Sequence, residues 1–285
     1  MVEGIVSGLV AGSAYAIIAV CVVILYRLVG LLNFSQAAIG ALGAYTAYAL
    51  NGPAFPLAVA VLIGILASGL IAGLAGWIMA VWFGEASIMA RSAVTIVLLI
   101  LLLTLGFRLF GNSPRVMPSI VPEASFQVGG VWISLTTLVA LAVTFALAGL
   151  LTLVLRRSNI GHRLQAMSER PTTAQLLGVN SRLLSVGVWV VAGMVSSIAI
   201  LLIAPSQNPT FGTLSFLVVP ALAAGLIGAF SNVWIAVVSG LAIGIIEGAG
   251  ARISVISDYR GAVPFLVIIL ALIWLRRKAV WDAAR

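Results

Sequence analysis

Charged side chains are scarce in this sequence. Only 8% of the 285 residues are charged and 62% are hydrophobic, whereas a soluble domain carries about 25% charged residues. A chain with so few charges cannot cover a water-exposed surface, so we expect lipid to surround most of it. Several apolar stretches reach the ~20 residues that a helix needs to cross a bilayer. Because these stretches are continuous and do not alternate with polar residues, they predict helices and exclude a transmembrane β-barrel.

Cysteine and histidine are almost absent as well. Cys21 is the only cysteine and His162 the only histidine, so the sequence offers no intrachain disulfide and no nitrogen and sulfur ligand set for a metal. It has no Gly-rich phosphate loop of the Walker type, and a Ser/His/Asp catalytic set is not expected at membrane depth. We therefore predict that the chain alone is not an enzyme, binds no cofactor and does not hydrolyse ATP.

Nine apolar stretches predict an all-α polytopic membrane protein. We expect about nine transmembrane helices, with a range of eight to ten because the regions near Asn33 and Asn232 resemble re-entrant or broken helices. The first stretch carries Glu3 and has no basic segment before it, so we interpret it as a membrane helix and not as a signal peptide. We treat residues 1–285 as a single membrane domain. The predicted helices cover residues 4–26, 34–50, 56–83, 92–110, 131–155, 184–204, 214–230, 233–251 and 262–275.

The basic residues indicate the orientation of the chain. Its net charge of +8 invites a nucleic-acid interpretation, but the basic residues stand at the ends of the apolar stretches, as orientation signals do. If the polar segment 156–183 and the C-terminus are cytoplasmic, nine crossings put eleven of the 15 Lys and Arg residues inside and four outside. The opposite orientation inverts this ratio. We predict a cytoplasmic C-terminus, an external N-terminus and no nucleic-acid partner.

Segment 156–183 is the only sustained polar stretch of the sequence. Residues 161–167 predict a short helix with Leu164 and Met167 on one side, and residues 168–170 predict a break. The segment connects the fifth and sixth predicted helices.

A second short helix is expected after this break. Pro171 suits a first helical position, Gly178 suits the C-terminal cap, and Ala174 and Leu177 are predicted to share a face. Two short helices with small apolar faces and several Arg residues would fit a groove on a soluble partner. The alternative is an amphipathic connector that lies on lipid headgroups.

A few polar residues interrupt the apolar stretches. Asn33, Ser35 and Gln36 separate the first two, and polar groups at such a break must be buried in protein or line a cavity. Transporters often bind substrate at interruptions of this kind, although an ordinary interfacial turn is the alternative. Glu247 is the only acidic residue deep within a predicted helix, where a carboxylate faces a cavity or a helix partner. Asn208 is a weaker candidate for the outer mouth of a path.

Small residues recur at spacings of four, which lets membrane helices approach each other closely. Packing within the chain and packing against another subunit are both compatible with this pattern. The residues are Gly69, Gly73, Gly240, Gly244 and Gly248.

Several segments in order resemble the permeases of branched-chain amino acid ABC transporters. Residues 161–167 read GHRLQAM, and residues 174–180 read AQLLGVN, which matches the loop of that family. Residues 8–20 read GLVAGSAYAIIAV, and residues 209–212 read PTFG. Glu247 follows two of the glycines at the spacing found in the family. The resemblance spans nearly the whole sequence.

This resemblance implies a permease subunit of an ABC importer in the bacterial plasma (inner) membrane, with branched-chain or related amino acids as the default substrate. It implies a paralogous permease, an extracytoplasmic solute-binding protein, surrounding membrane lipid, and two ATPase subunits that bind ATP and Mg²⁺. Segment 156–183 becomes a cytoplasmic coupling loop. The candidate ATPase-coupling residues are then Arg163, Ala166, Glu169, Pro171, Ala174, Leu177 and Gly178.

Two alternatives stay open. The sequence has Ala38 where that family often has an acidic residue, and relatives carry urea, short amides or small carboxylates, so the substrate can differ. An ion-coupled secondary transporter of a small organic solute is the alternative from another class. Such a protein needs intramembrane polar or acidic groups for the ion, and this sequence offers little beyond Glu247.

Overall fold

A computed structural model describes residues 2–128, 130–251 and 261–283, and these residues form a bundle of helices. The only strands in this part of the chain form a short antiparallel hairpin, β1 (Ser125–Val128) and β2 (Val131–Ser134). A 3₁₀ turn at Ala204–Ser206 follows the eighth helix. The α-helices are α1 (Val2–Val29), α2 (Gln36–Leu50), α3 (Leu57–Trp82), α4 (Ile88–Phe110), α5 (Leu135–Arg157), α6 (Asn159–Glu169), α7 (Pro171–Leu176), α8 (Ser181–Ile203), α9 (Phe211–Ser215), α10 (Val218–Ile227), α11 (Val233–Gly250) and α12 (Val263–Ala283).

Six of these helices are long and apolar enough to cross a membrane, namely α1, α3, α4, α5, α8 and α11. They confirm the prediction of a polytopic helical membrane protein. The remaining predicted spans are shorter: α2 has 15 residues, and the apolar parts at Phe211–Ile227 and Val263–Trp274 fall below the length of a full crossing. The count of nine crossings and the orientation of both ends stay predictions.

The hairpin corrects the all-α prediction. The predicted fifth helix began at residue 131, but residues 131–134 pair with β1, and α5 begins at Leu135. Ser134 ends the strand and caps α5, because its Oγ accepts a hydrogen bond from the backbone N–H of Thr137 at 3.2 Å. The predicted seventh helix, 214–230, is also divided, since α9 ends at Ser215 and α10 begins at Val218.

Helix α1 is the centre of the bundle. Nearly all of its membrane-spanning part is buried, and α5, α8, α10 and α11 surround it. Its contact with α11 is a seam of small residues in which Gly244 lies against the backbones of Gly8 and Gly12, and Gly240 lies against Ala16. A side chain at Gly244 would meet main-chain atoms that have no room to move. Close helix contact of this kind depends on residues without bulk.

A second contact of the same type joins α3 to α8. Gly69 lies beside the Met194 side chain and Gly73 beside that of Val190. The opposite sides of α3, α4 and α5 carry exposed apolar side chains such as Leu70, Val97 and Leu150. Such faces are covered by lipid or by another membrane subunit.

Candidate functional site

The polar segment between α5 and α8 folds as two short helices, and we call residues 158–180 the connector. Ser158 caps α6, because its Oγ accepts a hydrogen bond from the N–H of Gly161 at 2.9 Å. Arg170 interrupts the helix, and Pro171 occupies the first turn of α7. The predicted order of helix, break and second helix is confirmed, but α6 extends from Asn159 to Glu169, so the break is Arg170 alone and not residues 168–170.

Gly178 ends α7 in the way its position predicted. Its φ of 81° lies in the left-handed region that favours glycine. The N–H of Gly178 donates to the Gln175 carbonyl and the N–H of Val179 to the Ala174 carbonyl, both at 3.0 Å. This hydrogen-bond pair is a Schellman motif. The Asn180 side chain then accepts from the N–H of Leu183 at 3.0 Å and begins α8, so the connector has a defined shape at both ends.

The connector buries one apolar face against the membrane helices. Leu164 and Met167 of α6 are buried, as the sequence predicted, and Ala174 of α7 is buried as well. The Gln165 Nε2 donates a 2.7 Å hydrogen bond to the carbonyl of Leu155 in α5. Helix α6 is therefore fixed to the end of the bundle.

The shared face predicted for Ala174 and Leu177 is wrong. Ala174 is 2% exposed, whereas Leu177 is 79% exposed. Helix α7 ends at Leu176, and Leu177 lies in the cap, where the helical spacing no longer applies. Leu176 is 89% exposed, so the two leucines together form an apolar tip that the rest of the described chain does not cover.

The other predicted coupling residues lie mostly on the outer side of the connector. Arg163, Ala166, Glu169 and Gly178 are exposed, and Ala174 faces inward. Pro171 contributes the backbone geometry of the first turn of α7. The outer surface of the connector thus presents polar and basic residues around the leucine tip.

A second polar interruption, residues 31–36 between α1 and α2, differs from the connector because its polar side chains are buried. We call these residues the joint. Asn33, Ser35 and Gln36 are at most 1% exposed. The Asn33 Nδ2 donates to Gln36 Oε1 at 2.7 Å, and the Ser35 hydroxyl donates to Asn33 Oδ1 at 2.7 Å. The Gln36 Nε2 donates to the Ala192 carbonyl at 2.9 Å and to the Ser196 Oγ at 2.7 Å, both in α8. These polar groups satisfy one another inside the protein.

The start of α4 completes the joint with residues that the sequence did not suggest. The backbone N–H groups of Leu32 and Phe34 donate to the hydroxyls of Ser92 and Thr95, at 3.2 and 3.1 Å. The Arg91 guanidinium donates to the carbonyl of Val29 at 2.9 Å. These partners lie about 60 residues away in sequence, and a single hydroxyl in an apolar stretch gives no signal of its role.

The remaining path candidates lie in other surroundings. The Glu247 carboxylate accepts a 2.7 Å hydrogen bond from the Tyr15 hydroxyl across the contact of α11 with α1. Asn208 is exposed, with a φ of 44°, in the turn before α9. The next carbonyl, that of Pro209, accepts hydrogen bonds from the Tyr45 hydroxyl at 3.0 Å and the Arg115 N–H at 3.1 Å.

Two open cavities lie at different sites on the bundle, and neither is lined by the five path candidates. One, of about 590 Å³, is bordered by Tyr48, Asn51, Ser119 and Glu123, beside the segment before the hairpin. The other, of about 420 Å³, lies next to the connector. These two cavities therefore do not bring Asn33, Ser35, Gln36, Asn208 and Glu247 together.

Known proteins are similar to this chain over nearly its whole length. Residues 4–272 match the family model described as the branched-chain amino acid transport system / permease component. The high-affinity branched-chain amino acid transport system permease protein BraD of Pseudomonas aeruginosa is 27% identical, over 95% of this chain and 93% of that protein. The permease protein LivH of Salmonella typhimurium is 26% identical, over 94% of this chain and 91% of that protein.

A solved structure was also found. It is PsaBC from Streptococcus pneumoniae in complex with Fab, with a TM-score of 0.47 and 17% sequence identity, covering 95% of this chain and 88% of that chain.

Proposed function

This chain belongs to the family of branched-chain amino acid transport system permease components, and on that premise we propose that it is the permease subunit of an ABC importer for branched-chain or related amino acids. It is a multi-pass protein of the bacterial plasma membrane, as its apolar helices and its relatives indicate. The observation that carries the proposal is the connector, a pair of short helices with an exposed leucine tip at one end of an otherwise apolar bundle.

The connector is the part of the chain through which an ATPase subunit would act. Its buried face and the hydrogen bond from Gln165 to Leu155 tie it to α5, and the Asn180 cap ties it to α8. A displacement of Leu176 and Leu177 is thus transmitted to two membrane helices, of which α8 carries the hydrogen-bond acceptors of the joint. ATP and Mg²⁺ belong to the two partner ATPase subunits in this proposal.

A second, paralogous permease would complete the path, and an external solute-binding protein would deliver the substrate. ATP binding to the ATPase pair would favour one access state of the two permeases, because a ligand shifts a conformational equilibrium only by its preference between states. Of the path candidates, Asn208 is exposed and Glu247 is partly exposed, whereas Asn33, Ser35 and Gln36 are buried. The joint is better suited to holding α1, α2, α4 and α8 in register than to binding substrate in this conformation.

The double variant Leu176→Asp/Leu177→Asp tests the proposal. Two carboxylates at the tip place charge where an apolar groove would receive leucine, so the affinity for the ATPase subunits should fall at least about tenfold, which corresponds to about 1.4 kcal/mol. ATP-driven uptake of leucine in proteoliposomes with the full complex should fall by a similar factor. Membrane insertion and the elution volume in detergent should stay as in wild type.

Val116→Asp is a matched control, because Val116 is 76% exposed and lies in the segment before the hairpin, outside the connector. Wild-type ATPase affinity in the double variant would contradict the coupling assignment. Uptake by this chain alone, driven by an ion gradient, would instead favour a secondary transporter. Uptake of urea, a short amide or a small carboxylate in place of leucine would keep the importer and change its substrate.

A further inference from the structure

Four helices line the cavity beside the connector. It is about 420 Å³ in volume and lies where the ends of α1 and α5 meet α6 and the beginning of α11. Arg27 of α1, Arg156 of α5 and Gln165 of α6 all line it. The path candidates take no part in this site.

The cavity is electropositive. No Asp or Glu lines it, and no hydrogen bond or ion pair joins Arg27 or Arg156 to another described residue. The α11 helix begins here: Asn232 lines the cavity and caps the helix by accepting hydrogen bonds from the N–H groups of Trp234 and Ile235, at 2.9 and 3.2 Å. The positive end of the α11 dipole adds to the two arginine charges.

Apolar surface continues from the rim of this cavity along the bundle. Trp234, which lines it, is 41% exposed, and tryptophan is enriched at the membrane interface. Further along α11, Val238 is 63% exposed, and on α5 Leu150 and Leu153 are 56% and 54% exposed. A charged recess that borders exposed apolar helix faces offers a place for a phosphate with an attached acyl chain.

We propose that this cavity binds the headgroup of an anionic phospholipid. Arg27 and Arg156 hold the phosphate, for which the guanidinium fork is well suited, and the acyl chains lie along the exposed faces of α5 and α11. Basic pockets between membrane helices take such headgroups. Because Gln165 lines the same cavity, a bound headgroup contacts the helix that fixes the connector to the bundle, and lipid composition would affect how firmly α6 is held.

Lipid counting on the purified, delipidated full chain tests this. Phosphatidylglycerol is titrated in detergent, and bound lipid is measured by native mass spectrometry. Loss of both charges in Arg27→Gln/Arg156→Gln should weaken the tightest binding event at least about tenfold, because the charge-assisted hydrogen bonds from the two guanidinium groups to the phosphate are removed. The matched control is Arg157→Gln/Arg182→Gln, which removes the same charge from exposed positions that do not line the cavity. Equal affinity in the two double variants would overturn the proposal.

Three further measurements separate the possible sources of the anion and guard against misfolding. Phosphatidylcholine should bind more weakly than phosphatidylglycerol, and inorganic phosphate should compete only at far higher concentration. Tight binding of inorganic phosphate without any binding of phosphatidylglycerol would show a free-anion site and refute the lipid proposal. If the double Gln variant fails to fold, Thr152→Trp decides, because it fills the cavity and keeps both arginines: retained wild-type lipid binding would refute the site, and loss would support it.

Discussion

The joint and the connector both interrupt apolar stretches with polar residues, but they present those residues in opposite directions. In the joint, Asn33 and Gln36 are buried, and their side-chain amides form hydrogen bonds inside the bundle. In the connector, the buried side chains are apolar, and most of the polar and basic residues are exposed. A polar segment of a membrane protein is therefore a candidate contact surface only when its hydrogen-bonding groups are not already satisfied internally.

The largest effect that this comparison predicts is on Gln36. The substitution Gln36→Leu removes hydrogen bonds to Asn33, Ala192 and Ser196 and leaves buried polar groups without partners. Each such group costs about 1–3 kcal/mol, so we expect the free energy of unfolding in mixed detergent micelles to fall by roughly 2–4 kcal/mol.

The same chemical change in the connector is the control. Gln175 is exposed, and its Nε2 hydrogen bond to the Ser181 Oγ can be replaced by water, so Gln175→Leu should change stability by no more than roughly 0.5 kcal/mol. If the two substitutions cost the same, the distinction between an internally satisfied joint and a solvated connector fails.

The seam between α1 and α11 is a second buried contact, and it is formed by glycines instead of polar side chains. Gly244→Ala places a methyl group against the backbones of Gly12 and Gly8, and overpacking of this kind costs about 1–3 kcal/mol. Gly149→Ala in α5 adds the same methyl group where no atom lies within 4 Å and should be neutral or slightly stabilising. Equal thermal midpoints for the two variants would show that α1 and α11 are not in close contact.

The smallest effect concerns Gly178, at the exposed end of the connector. An alanine at its φ of 81° is strained by about 1 kcal/mol, and the strain acts only on the end of α7. We expect faster amide exchange at positions 178 and 179 in Gly178→Ala than in wild type, with no change in the global unfolding midpoint. A global loss of stability would mean that the connector is part of the core after all.

Local rules explain which elements of the fold could be predicted. The length of the apolar stretches identified the helices, Pro171 and Gly178 marked the bounds of α7, and the spacing of Leu164 and Met167 gave the buried face of α6. The apolar stretches are continuous in sequence, and the other two features depend on residues within one or two turns of each other. The prediction that Leu177 shares a face with Ala174 is wrong because the helix ends one residue before Leu177.

Long-range contacts account for what the sequence did not reveal. Thr95 and Ser196 complete the joint from α4 and α8, and nothing near them in sequence marks them. The hairpin replaced the beginning of a predicted helix because Ser125–Val128 supplies a partner strand. The cavity beside the connector depends on Arg27, Arg156 and Asn232, which come together only when α1, α5 and α11 are assembled.

The enclosure of α1 has a consequence for how the protein is made. About 200 residues separate the end of α1 at Val29 from the start of α11 at Val233, and at 5–20 residues per second the ribosome needs roughly 10–40 s to synthesise them. During that interval the glycines of α1 lack their partner helix α11. The face of α1 that α11 will cover must meanwhile contact lipid or the insertion machinery. The bundle is therefore completed late, when α11 packs against a helix that entered the membrane long before it.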